Sequence, residues 1–481
     1  MNKFRFSLIV ILALLGIGFC FGETLEPGQK VTDSYVSTKW KHGTSFVYKI
    51  YKPMNCGNPN EVGLIIGFDG NCPSEAMEKL AATGAMPPCV IIGIEPGLLK
   101  TTSNTGVDRW MRAEEYDHVG RDFPEFIVKE FIPAMTEKYD LKFSSSPDMH
   151  MVTGGSSGGL ATWNALWYAN DYFHRGFMPS PTFGNFDGGE ELLAVARKAE
   201  TRPIRVAATC GSHEPFQFAG NSMVIAFSAF SALQYAGYDC LFEFRPNDNH
   251  CQGQLDWTIQ KKMYSFLWSG WKDEAVAPWH SPERVESVVD PKQPWQQTAE
   301  AMPQHQKVVC SQGEYTFKGN TIFFTPKNGK KKIAATDFDE ITGLALSSDL
   351  WRLYVSDRNR RKIFAMTIEN DGTLSGRYEL GSLHTLPDNL HLGASSLCVD
   401  TLDRVYAATD IGIQGITSVG INDLIIPLPG DLTVDEIAFG GENMDWLYAR
   451  SGNMVFKRKC KIAGRRENQA ETAKYKVLYT Y

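Results

Sequence analysis

The sequence lacks three features that would each indicate a particular class of protein. Among its ten cysteines there is no Cys-x-x-Cys pair, so neither a structural zinc site nor a dithiol redox site is expected. No apolar run reaches the roughly 20 residues of a membrane-spanning helix. There is also no long lysine and arginine block, and 48 basic against 55 acidic residues give a net charge of −7. This balance argues against nucleic acid or an anionic membrane as the main partner.

The longest apolar run lies at the N-terminus, at residues 8–21. Lys3 and Arg5 precede it, and the small residue Gly22 follows, which is the pattern of a secretory signal peptide covering residues 1–22. Cys20 follows the bulky Phe19, so a lipoprotein is not expected. We therefore expect a secreted or periplasmic protein with no membrane attachment after cleavage.

The remaining chain divides at a stretch that has no hydrophobic periodicity. Residues 273–307 are rich in Pro, Gln, Glu and Ser and are interpreted as a linker. Strand-like and helix-like segments alternate before it, whereas short strand-like segments recur after it. These changes predict an α/β domain at 35–272, an all-β domain at 308–465 and a C-terminal tail at 466–481, after the signal peptide.

The first domain is predicted to be an α/β sandwich with a mostly parallel sheet. Its short apolar runs at 62–68 and 90–94 suit strands that are buried on both faces. Further strands are predicted at 150–153, 204–209 and 240–244, and helices at 123–139, 159–169, 223–236 and 255–268. The alternation of the two kinds of segment indicates an α/β layered fold.

The second domain is predicted to be propeller-like. About eleven short strand-like segments are separated by turns such as Asp371-Gly372 and Pro429-Gly430. Residues 353–357 and 447–450 resemble each other, and such weak self-similarity favours a β-propeller.

A strand, a sharp glycine-rich turn and a helix are predicted around residues 151–160. Gly155-x-Ser157-x-Gly159 fits the Gly-x-Ser-x-Gly pattern of a nucleophile elbow, which predicts Ser157 as the nucleophile. The N–H of Gly158 is then expected to stabilise the oxyanion. Ser156 is the competing candidate, and we expect it in the turn before the elbow.

A nucleophilic serine needs a base that an acid orients, and in α/β hydrolases both follow the serine in the chain. His250 lies in a polar loop after a predicted strand, so we predict it as the base. His174, His213 and His280 lie in less suitable places. Glu214, which also follows a predicted strand, is the predicted acid. The alternatives for the acid are Asp187, Asp239 and Asp248.

Two further expectations concern the loops around this triad. The loop after the strand at 62–68 is expected to supply a second oxyanion donor from Gly70 and Asn71. Cys240 and Cys251 flank the segment that carries His250. In an oxidising compartment they are expected to form a disulfide.

Residues of about 40–270 resemble the family of α/β hydrolases that contains enterobactin (enterochelin), feruloyl and acetyl-xylan esterases. The matching motifs are Phe68-Asp69-Gly70, Arg112 to Asp117, Phe126 to Pro133, Gly155 to Ala161, and the segment from His250 to Trp257. The resemblance implies ester hydrolysis by a triad of Ser157, His250 and Glu214. Asp69, Arg112 and Tyr116 are expected to bind substrate. One departure is Asn249, where the family commonly has Gly before the catalytic His.

Residues of about 310–465 look like the later blades of the senescence-marker-protein/gluconolactonase propellers. The matching pieces are Ile341 to Asp349, Leu353 to Asp357, Asp371 to Leu374, Leu397 to Asp400 and Ile437 to Gly441. Those propellers have six blades and hold a divalent metal, whereas only about four blades of usual length fit here. Thr342 and the pair Ser395 and Ser396 stand where that family has metal ligands. Because hydroxyls lack the carboxylate that a hard cation prefers, no metal is expected.

The sequence therefore predicts an exported serine esterase with a non-catalytic propeller and no cofactor. Its expected substrates are acyl or feruloyl esters on polysaccharide, with a siderophore ester as the alternative within the class. Two other hypotheses are a lactonase centred on the propeller and a glycan-binding protein with an inactive hydrolase domain. The sequence leaves the oligomeric state open.

Overall fold

The structure is a computed structural model that describes residues 24–40, 42–184, 186–304 and 307–467. The predicted signal peptide and most of the predicted C-terminal tail lie outside these ranges. Within them, no helix is long and apolar enough to cross a membrane.

The N-terminal domain is built on a ten-stranded sheet with the order β12-β9-β8-β7-β3-β4-β2-β5-β6, and β1 pairs with β2. Its strands and the small hairpin β10-β11 are β1 Lys30–Val36, β2 Thr44–Tyr51, β3 Gly63–Phe68, β4 Cys89–Ile94, β5 Leu98–Leu99, β6 Arg109–Trp110, β7 His150–Thr153, β8 Arg175–Pro179, β9 Arg205–His213, β10 Phe216–Gln217, β11 Gly220–Asn221 and β12 Asp239–Asn249. The six central strands from β12 to β4 run parallel, and β1, β2, β5 and β6 form an antiparallel edge.

Helices cover both faces of this sheet. They are α1 Ser74–Ala81, α2 Asp122–Phe126, α3 Ile132–Lys138, α4 Ser157–Tyr168, α5 Gly189–Lys198, α6 Ser222–Tyr235 and α7 Trp257–Leu267, with π-helical turns at Ala113–Asp117 and Ile127–Phe131. The predicted α/β fold is confirmed. The helix predicted at 123–139 consists of α2, a π-helical turn and α3. The strand β8 and the helices α1 and α5 were not predicted.

The continuous apolar runs of β3 and β4 build two cores, one on each face of the sheet. In β3, Leu64 and Ile66 face a core that includes Trp163 of α4, whereas Ile65 faces a second core that includes Met263 of α7. Full burial of an aliphatic side chain of this size contributes roughly 1.5–3 kcal/mol. Because every residue of β3 and β4 is buried, these strands show no polar alternation.

The C-terminal domain contains four antiparallel sheets of four strands each, arranged as a four-bladed propeller. Its strands are β13 Gln296–Thr298, β14 Val308–Val309, β15 Gly313–Lys318, β16 Thr321–Pro326, β17 Lys332–Ala335, β18 Ile341–Leu346, β19 Arg352–Asp357, β20 Lys362–Ile368, β21 Leu374–Ser382, β22 Ser396–Val399, β23 Val405–Thr409, β24 Gly412–Ile416, β25 Asn422–Ile426, β26 Glu436–Gly440, β27 Trp446–Ser451 and β28 Met454–Lys459. The innermost strands β14, β18, β22 and β26 surround a narrow central cavity of about 40 Å³.

The segment predicted as a linker is part of the fold. It contains the short helix α8 Glu283–Glu286 and the strand β13, which pairs antiparallel with β28 and becomes the outer strand of the last blade. This pairing covers the strand edge that an open blade would expose. Because three residues carry no periodicity that could reveal a strand, the sequence pattern could not predict this closure.

Polar contacts and a shared core join the two domains. The carboxylate of Asp431 pairs with the Arg202 guanidinium at 2.5 and 2.8 Å. The buried Arg458 makes a similar pair with Glu200 at 2.6 and 2.7 Å. Leu386, from the propeller, packs into the larger hydrolase core. The propeller is therefore docked on the hydrolase domain by specific contacts.

The predicted disulfide between Cys240 and Cys251 is wrong. All nine cysteines of the described chain are free thiols. Cys240 lies near the start of β12, while Cys251 comes two residues after its end. Since a strand rises about 3.3 Å per residue, the two sulfurs lie far beyond disulfide reach.

Candidate active site

The turn between β7 and α4 has the backbone of a nucleophile elbow, and Ser156 is at its apex. Ser156 has φ +59° and ψ −128°, a conformation that only a tightly held turn imposes on a non-glycine residue. Close packing requires glycine on both sides of the turn. A Cβ on Gly154 would lie 2.6 Å from the Gly158 carbonyl oxygen, and one on Gly159 would lie 2.8 Å from Pro181.

Ser157, the predicted nucleophile, is the first residue of α4 and is buried. Its hydroxyl bonds to the Asp117 carboxyl; burial raises the pKa of Asp117, and this hydrogen bond opposes the rise. The Ser156 hydroxyl instead lies 3.4 Å from that of Thr182 and is partly exposed. The sequence fits the Gly-x-Ser-x-Gly pattern in two registers one residue apart, and the backbone favours the register of Ser156.

His250 and Glu214 are brought together as predicted. His250 follows the end of β12, and Glu214 follows the end of β9, its parallel neighbour in the sheet. The Nδ1 atom of His250 makes a short hydrogen bond to the Glu214 carboxylate, whose side chain is only 1% exposed. The carboxylate thus fixes the orientation of the imidazole.

Three donors converge on the Glu214 carboxylate. Besides His250, the Ser180 hydroxyl donates to Oε1 at 2.6 Å and the Gly211 amide donates at 2.8 Å. Burial on its own would raise the pKa of Glu214, but these hydrogen bonds outweigh it and lower the pKa. Glu214 is therefore held ionised against the imidazole.

Cys251 connects the histidine loop to the serine turn. Its amide donates to the Ser180 hydroxyl at 2.9 Å, and its sulfur lies 2.9 Å from where a Cβ on Gly155 would be. Hydrogen bonds with the Cys251 sulfur and with the Glu214 carboxylate raise the pKa of His250. Cys251, directly after His250, therefore packs against Gly155, directly before Ser156.

The alternative acids and histidines have other partners. Asp239 pairs with Arg205 and Asp248 with Arg245, while Asp187 bonds to His118. His174 pairs with Asp148, the His280 ring contacts the Ser281 carbonyl, and His213 is exposed. Among the described residues, none of these alternative side chains forms a hydrogen bond or an ion pair with the side chain of His250 or Glu214.

The two loop amides that were predicted as oxyanion donors already have acceptors within the protein. The Gly70 amide donates to the Ile94 carbonyl at 2.9 Å and the Asn71 amide to the Phe68 carbonyl at 3.2 Å, so neither amide is available to a substrate. The amides of Ser157 and Gly158 belong to the first turn of α4, where an N–H has no acceptor within the helix. These two amides are the available donors beside Ser156.

The three predicted substrate-binding residues form one cluster. Arg112 donates to both carboxylate oxygens of Asp69 at 3.1 and 3.0 Å, and its guanidinium stacks on the Tyr116 ring. The buried Tyr116 hydroxyl accepts a hydrogen bond from the Asp69 amide at 3.0 Å. Asp69 Oδ2 lies 3.2 Å from the Cβ position of Gly158, which places the cluster against the start of α4.

Ser180, Thr182 and Cys251 are site residues that were not predicted. Ser180 and Thr182 follow β8, a parallel strand that the sequence analysis missed. Since the carboxyl ends of parallel strands meet at one edge of the sheet, recognising β8 would have pointed to this loop.

In the propeller, the positions that replace the family's metal ligands are occupied by a hydroxyl network. The Thr342 hydroxyl bonds to Ser356 at 2.8 Å and to the Ala394 carbonyl at 2.5 Å. Asp357 and Asp400 accept hydrogen bonds from nearby backbone amides. Among the described residues, no group of three or more His, Cys, Asp or Glu side chains could hold a metal ion.

Comparisons with known proteins return both families that the sequence resembles. The family described as SMP-30/Gluconolactonase/LRE-like region matches residues 299–453. Among solved structures, an enterochelin esterase from Shigella flexneri matches 53% of this chain and 62% of its own at 20% identity, with a TM-score of 0.39. A ferulic acid esterase matches 50% of this chain and 98% of its own at 15% identity, with a TM-score of 0.36.

A gluconolactonase from Xanthomonas campestris is similar over 30% of this chain at 26% identity, with a TM-score of 0.26. The match covers 46% of that gluconolactonase and 50% of another structure described as a putative gluconolactonase, so the chain spans about half the length of each. No curated protein matches the chain.

Proposed function

We propose that the protein is a serine carboxylic-ester hydrolase in which Ser156, His250 and Glu214 form the catalytic triad. The observation that carries the proposal is the strained backbone of Ser156 in a strand–turn–helix, with the His250–Glu214 pair held on the neighbouring loop. The proposed nucleophile thus lies one residue before Ser157, the residue that the sequence analysis predicted.

In the proposed reaction, Ser156 Oγ attacks the ester carbonyl while His250 Nε2 takes its proton. Glu214 accepts the Nδ1–H hydrogen bond and stabilises the imidazolium that forms. His250 then gives the proton to the leaving alcohol, which leaves an acyl group on Ser156. Water, activated by the same histidine, hydrolyses this intermediate and frees the serine.

The negative charge on the carbonyl oxygen is proposed to be stabilised by the amides of Ser157 and Gly158 at the start of α4. Backbone donors there are aligned with the positive end of the helix dipole, which favours a developing anion. Arg112 and Asp69, adjacent to Gly158, are proposed to contact the substrate beside the reacting ester.

The proposed substrates are acyl or feruloyl esters on polysaccharide, and the proposed compartment is outside the cytoplasm. The signal-peptide pattern of residues 1–22 supports export. A siderophore ester is the alternative substrate.

The propeller is proposed to be non-catalytic. The positions that would supply oxygen ligands carry Thr342 and Ser395, whose hydroxyls bond to neighbouring protein oxygens. Esterase activity should therefore survive a chelator, whereas lactone opening that a chelator abolishes would favour the lactonase hypothesis.

The triad is tested with a matched pair of variants, Ser156→Ala and Ser157→Ala, assayed on aryl acetates and feruloyl esters. Ser156→Ala should lower kcat by about a thousandfold or more, as expected on loss of a triad nucleophile. Ser157→Ala, which removes only the hydroxyl facing Asp117, should retain most of the activity. The opposite result would restore Ser157 as the nucleophile. No loss in either variant would contradict a serine esterase.

A further inference from the structure

A large cleft runs along the boundary between the two domains, away from the catalytic turn. It has a volume of about 590 Å³ and is lined by both domains. Its walls include Tyr168, the last residue of α4, then Asn170, two residues later, and Trp295, from the segment just before β13. Binding sites for small molecules and chains commonly lie in such interdomain clefts, lined by aromatic residues and a few polar groups.

The cleft has no net charge. Its basic residues Arg121, Lys129, Arg202 and Arg458 are matched by the acidic residues Glu125, Asp171, Glu200 and Asp431. Three of these form ion pairs with their counterparts across or along the wall: Arg202 with Asp431, Arg458 with Glu200 and Lys129 with Glu125. A charged ligand would have to compete with these pairs, so the cleft suits an uncharged ligand.

Polar groups in the wall lack partners. Within the described part of the chain, the side-chain nitrogen of Asn170 and the Nε of Arg202 are buried and form no hydrogen bond. The Tyr168 side chain lines the same wall. Because buried polar groups are normally paired, unpaired donors in one wall indicate that water or a ligand completes them.

The proline-rich part of the wall offers few backbone donors to an extended peptide. Six prolines line the cleft, namely Pro124, Pro203, Pro291, Pro294, Pro427 and Pro429. Proline has no N–H, so this surface offers few of the backbone donors that strand addition uses. The Trp295 ring, anchored by its N–H to the Pro427 carbonyl at 2.9 Å, instead offers an apolar π-surface. The C–H faces of a sugar ring pack well on such a surface.

A second cavity adjoins the cleft beside the C-terminal end of α4. It has a volume of about 380 Å³, shares Tyr168 and Arg202 with the first, and extends to Asp388. Asp388 bonds to His118 Nε2 at 2.8 Å, and His118 directly follows Asp117, whose carboxyl bonds to Ser157. The 12-residue helix α4, which is about 18 Å long, separates Tyr168 from the elbow. The cleft therefore lies at the end of α4 that is away from the elbow, beside residues 201–203, which precede β9.

We propose that the interdomain cleft binds a neutral glycan chain and so anchors the polymer whose ester groups the active site would cleave. Its role in catalysis rests on the proposed esterase function, but binding itself does not. The glycan is held by Trp295, which stacks on a sugar ring, and by Tyr168 and Asn170, which hydrogen-bond its hydroxyls.

The test uses the full chain carrying Ser156→Ala, so that no ester is cleaved during binding. Affinity electrophoresis and calorimetry are run with three neutral polysaccharides, arabinoxylan, glucomannan and mixed-linkage β-glucan. Polygalacturonate serves as the acidic polymer and poly-L-proline as the peptide probe. At least one neutral polymer should bind, and Trp295→Ala should weaken that binding about tenfold or more. Tyr168→Phe should weaken it by a smaller factor.

Two further variants separate binding from folding. Trp295→Phe keeps an aromatic ring but loses the bond to Pro427, and it should retain most of the affinity. Trp279→Ala removes an indole that is 67% exposed and lies outside the cleft, and it should change neither affinity nor thermal stability.

Three results would overturn the proposal: no neutral polymer binds, Trp295→Ala binds as tightly as its parent, or polygalacturonate or poly-L-proline binds in preference. Failure of the esterase proposal is recognised separately. In that case the Ser156→Ala variant and the wild-type protein would hydrolyse esters equally, independently of the polysaccharide binding measured by affinity electrophoresis.

Discussion

The Ser180 hydroxyl donates a 2.6 Å hydrogen bond to Glu214 Oε1 and accepts one from the Cys251 amide at 2.9 Å. One hydroxyl therefore joins the loop after β8 to the proposed catalytic acid and to the residue that follows the proposed base. Ser180 is only 3% exposed, so this hydroxyl is shielded from bulk solvent.

Replacing Ser180 with Ala should impair catalysis through the position of Glu214. The carboxylate would lose a donor and the Cys251 amide would lose its acceptor, so we expect kcat to fall about tenfold and stability by about 1–3 kcal/mol. Steady-state ester hydrolysis measures kcat, and urea denaturation measures the free energy of unfolding. Ser395→Ala, which removes a hydroxyl bonded to Val434 in the propeller, is the control and should leave kcat unaffected. An equal effect on kcat in both variants would contradict a specific role for Ser180.

The pH dependence of kcat/KM should report the raised pKa of His250. The reaction needs the neutral imidazole, so activity should fall as the pH falls through this pKa, with a midpoint above the ordinary value of about 6.5. Cys251→Ala removes a hydrogen bond that favours the protonated ring, so its midpoint should move to lower pH. Glu214→Gln should move it in the same direction and also lower kcat. An unchanged midpoint in both variants would show that another group controls this limb.

Stability should depend on pH through the bridge between the domains. His118 bonds to Asp388 and Asp187, and these contacts raise its pKa to about 9. A raised histidine pKa stabilises the fold fully below its unfolded value of about 6.5, and this stabilisation is lost as the pH rises through about 9. Since the ring is about a third exposed, we expect a contribution of roughly 1–2 kcal/mol.

Asp388→Asn should remove much of this dependence. Urea denaturation of the wild type and the variant is compared at pH 6, 8 and 10, where the difference should be largest at pH 6 and smallest at pH 10. The control is Glu379→Gln, which removes an exposed partner of Lys362 and should cost under about 1 kcal/mol at pH 6 and 8. A difference for Asp388→Asn that does not change with pH would refute the assignment to His118.

The closure of the propeller by β13 can be tested with a designed disulfide. Thr298 lies opposite Val455 in the β13–β28 ladder, at a spacing that suits an S–S bond. The double variant Thr298→Cys/Val455→Cys should crosslink on oxidation and gain about 2–4 kcal/mol, because the bond closes a very long loop. The reduced double variant is its control. Failure to crosslink under oxidising conditions would contradict the observed pairing.

The sequence was sufficient to predict the layers of the first domain. The apolar runs of β3 and β4 are short and β-branched because both faces of a central parallel strand are buried, and this pattern is local. His250 and Glu214 were also predictable, since each follows a strand and both belong at the same sheet edge. The propeller was indicated by the repeated short strands separated by turns.

Tertiary structure alone decided which serine is at the elbow. Gly154-x-Ser156-x-Gly158 and Gly155-x-Ser157-x-Gly159 fit the same pattern, and only the strained φ and ψ of Ser156 distinguish them. Likewise, the sequence does not show which acceptors the amides of Gly70 and Asn71 have. In the folded loop they donate to the carbonyls of Ile94 and Phe68.

Long-range pairing is the other part that the sequence left undetermined. The strand β13, inside the predicted linker, was not recognised from the sequence. It is three residues long and gains its structure only by pairing with β28, more than 150 residues later. The interdomain cleft has the same origin, since Trp295 and Tyr168 meet only when the propeller docks. Local patterns therefore indicated five of the six parallel strands, four helical segments and the candidate base and acid. The choice of Ser156 as the proposed nucleophile, the ring closure and the cleft depended on backbone strain and contacts between distant segments, which no local pattern records.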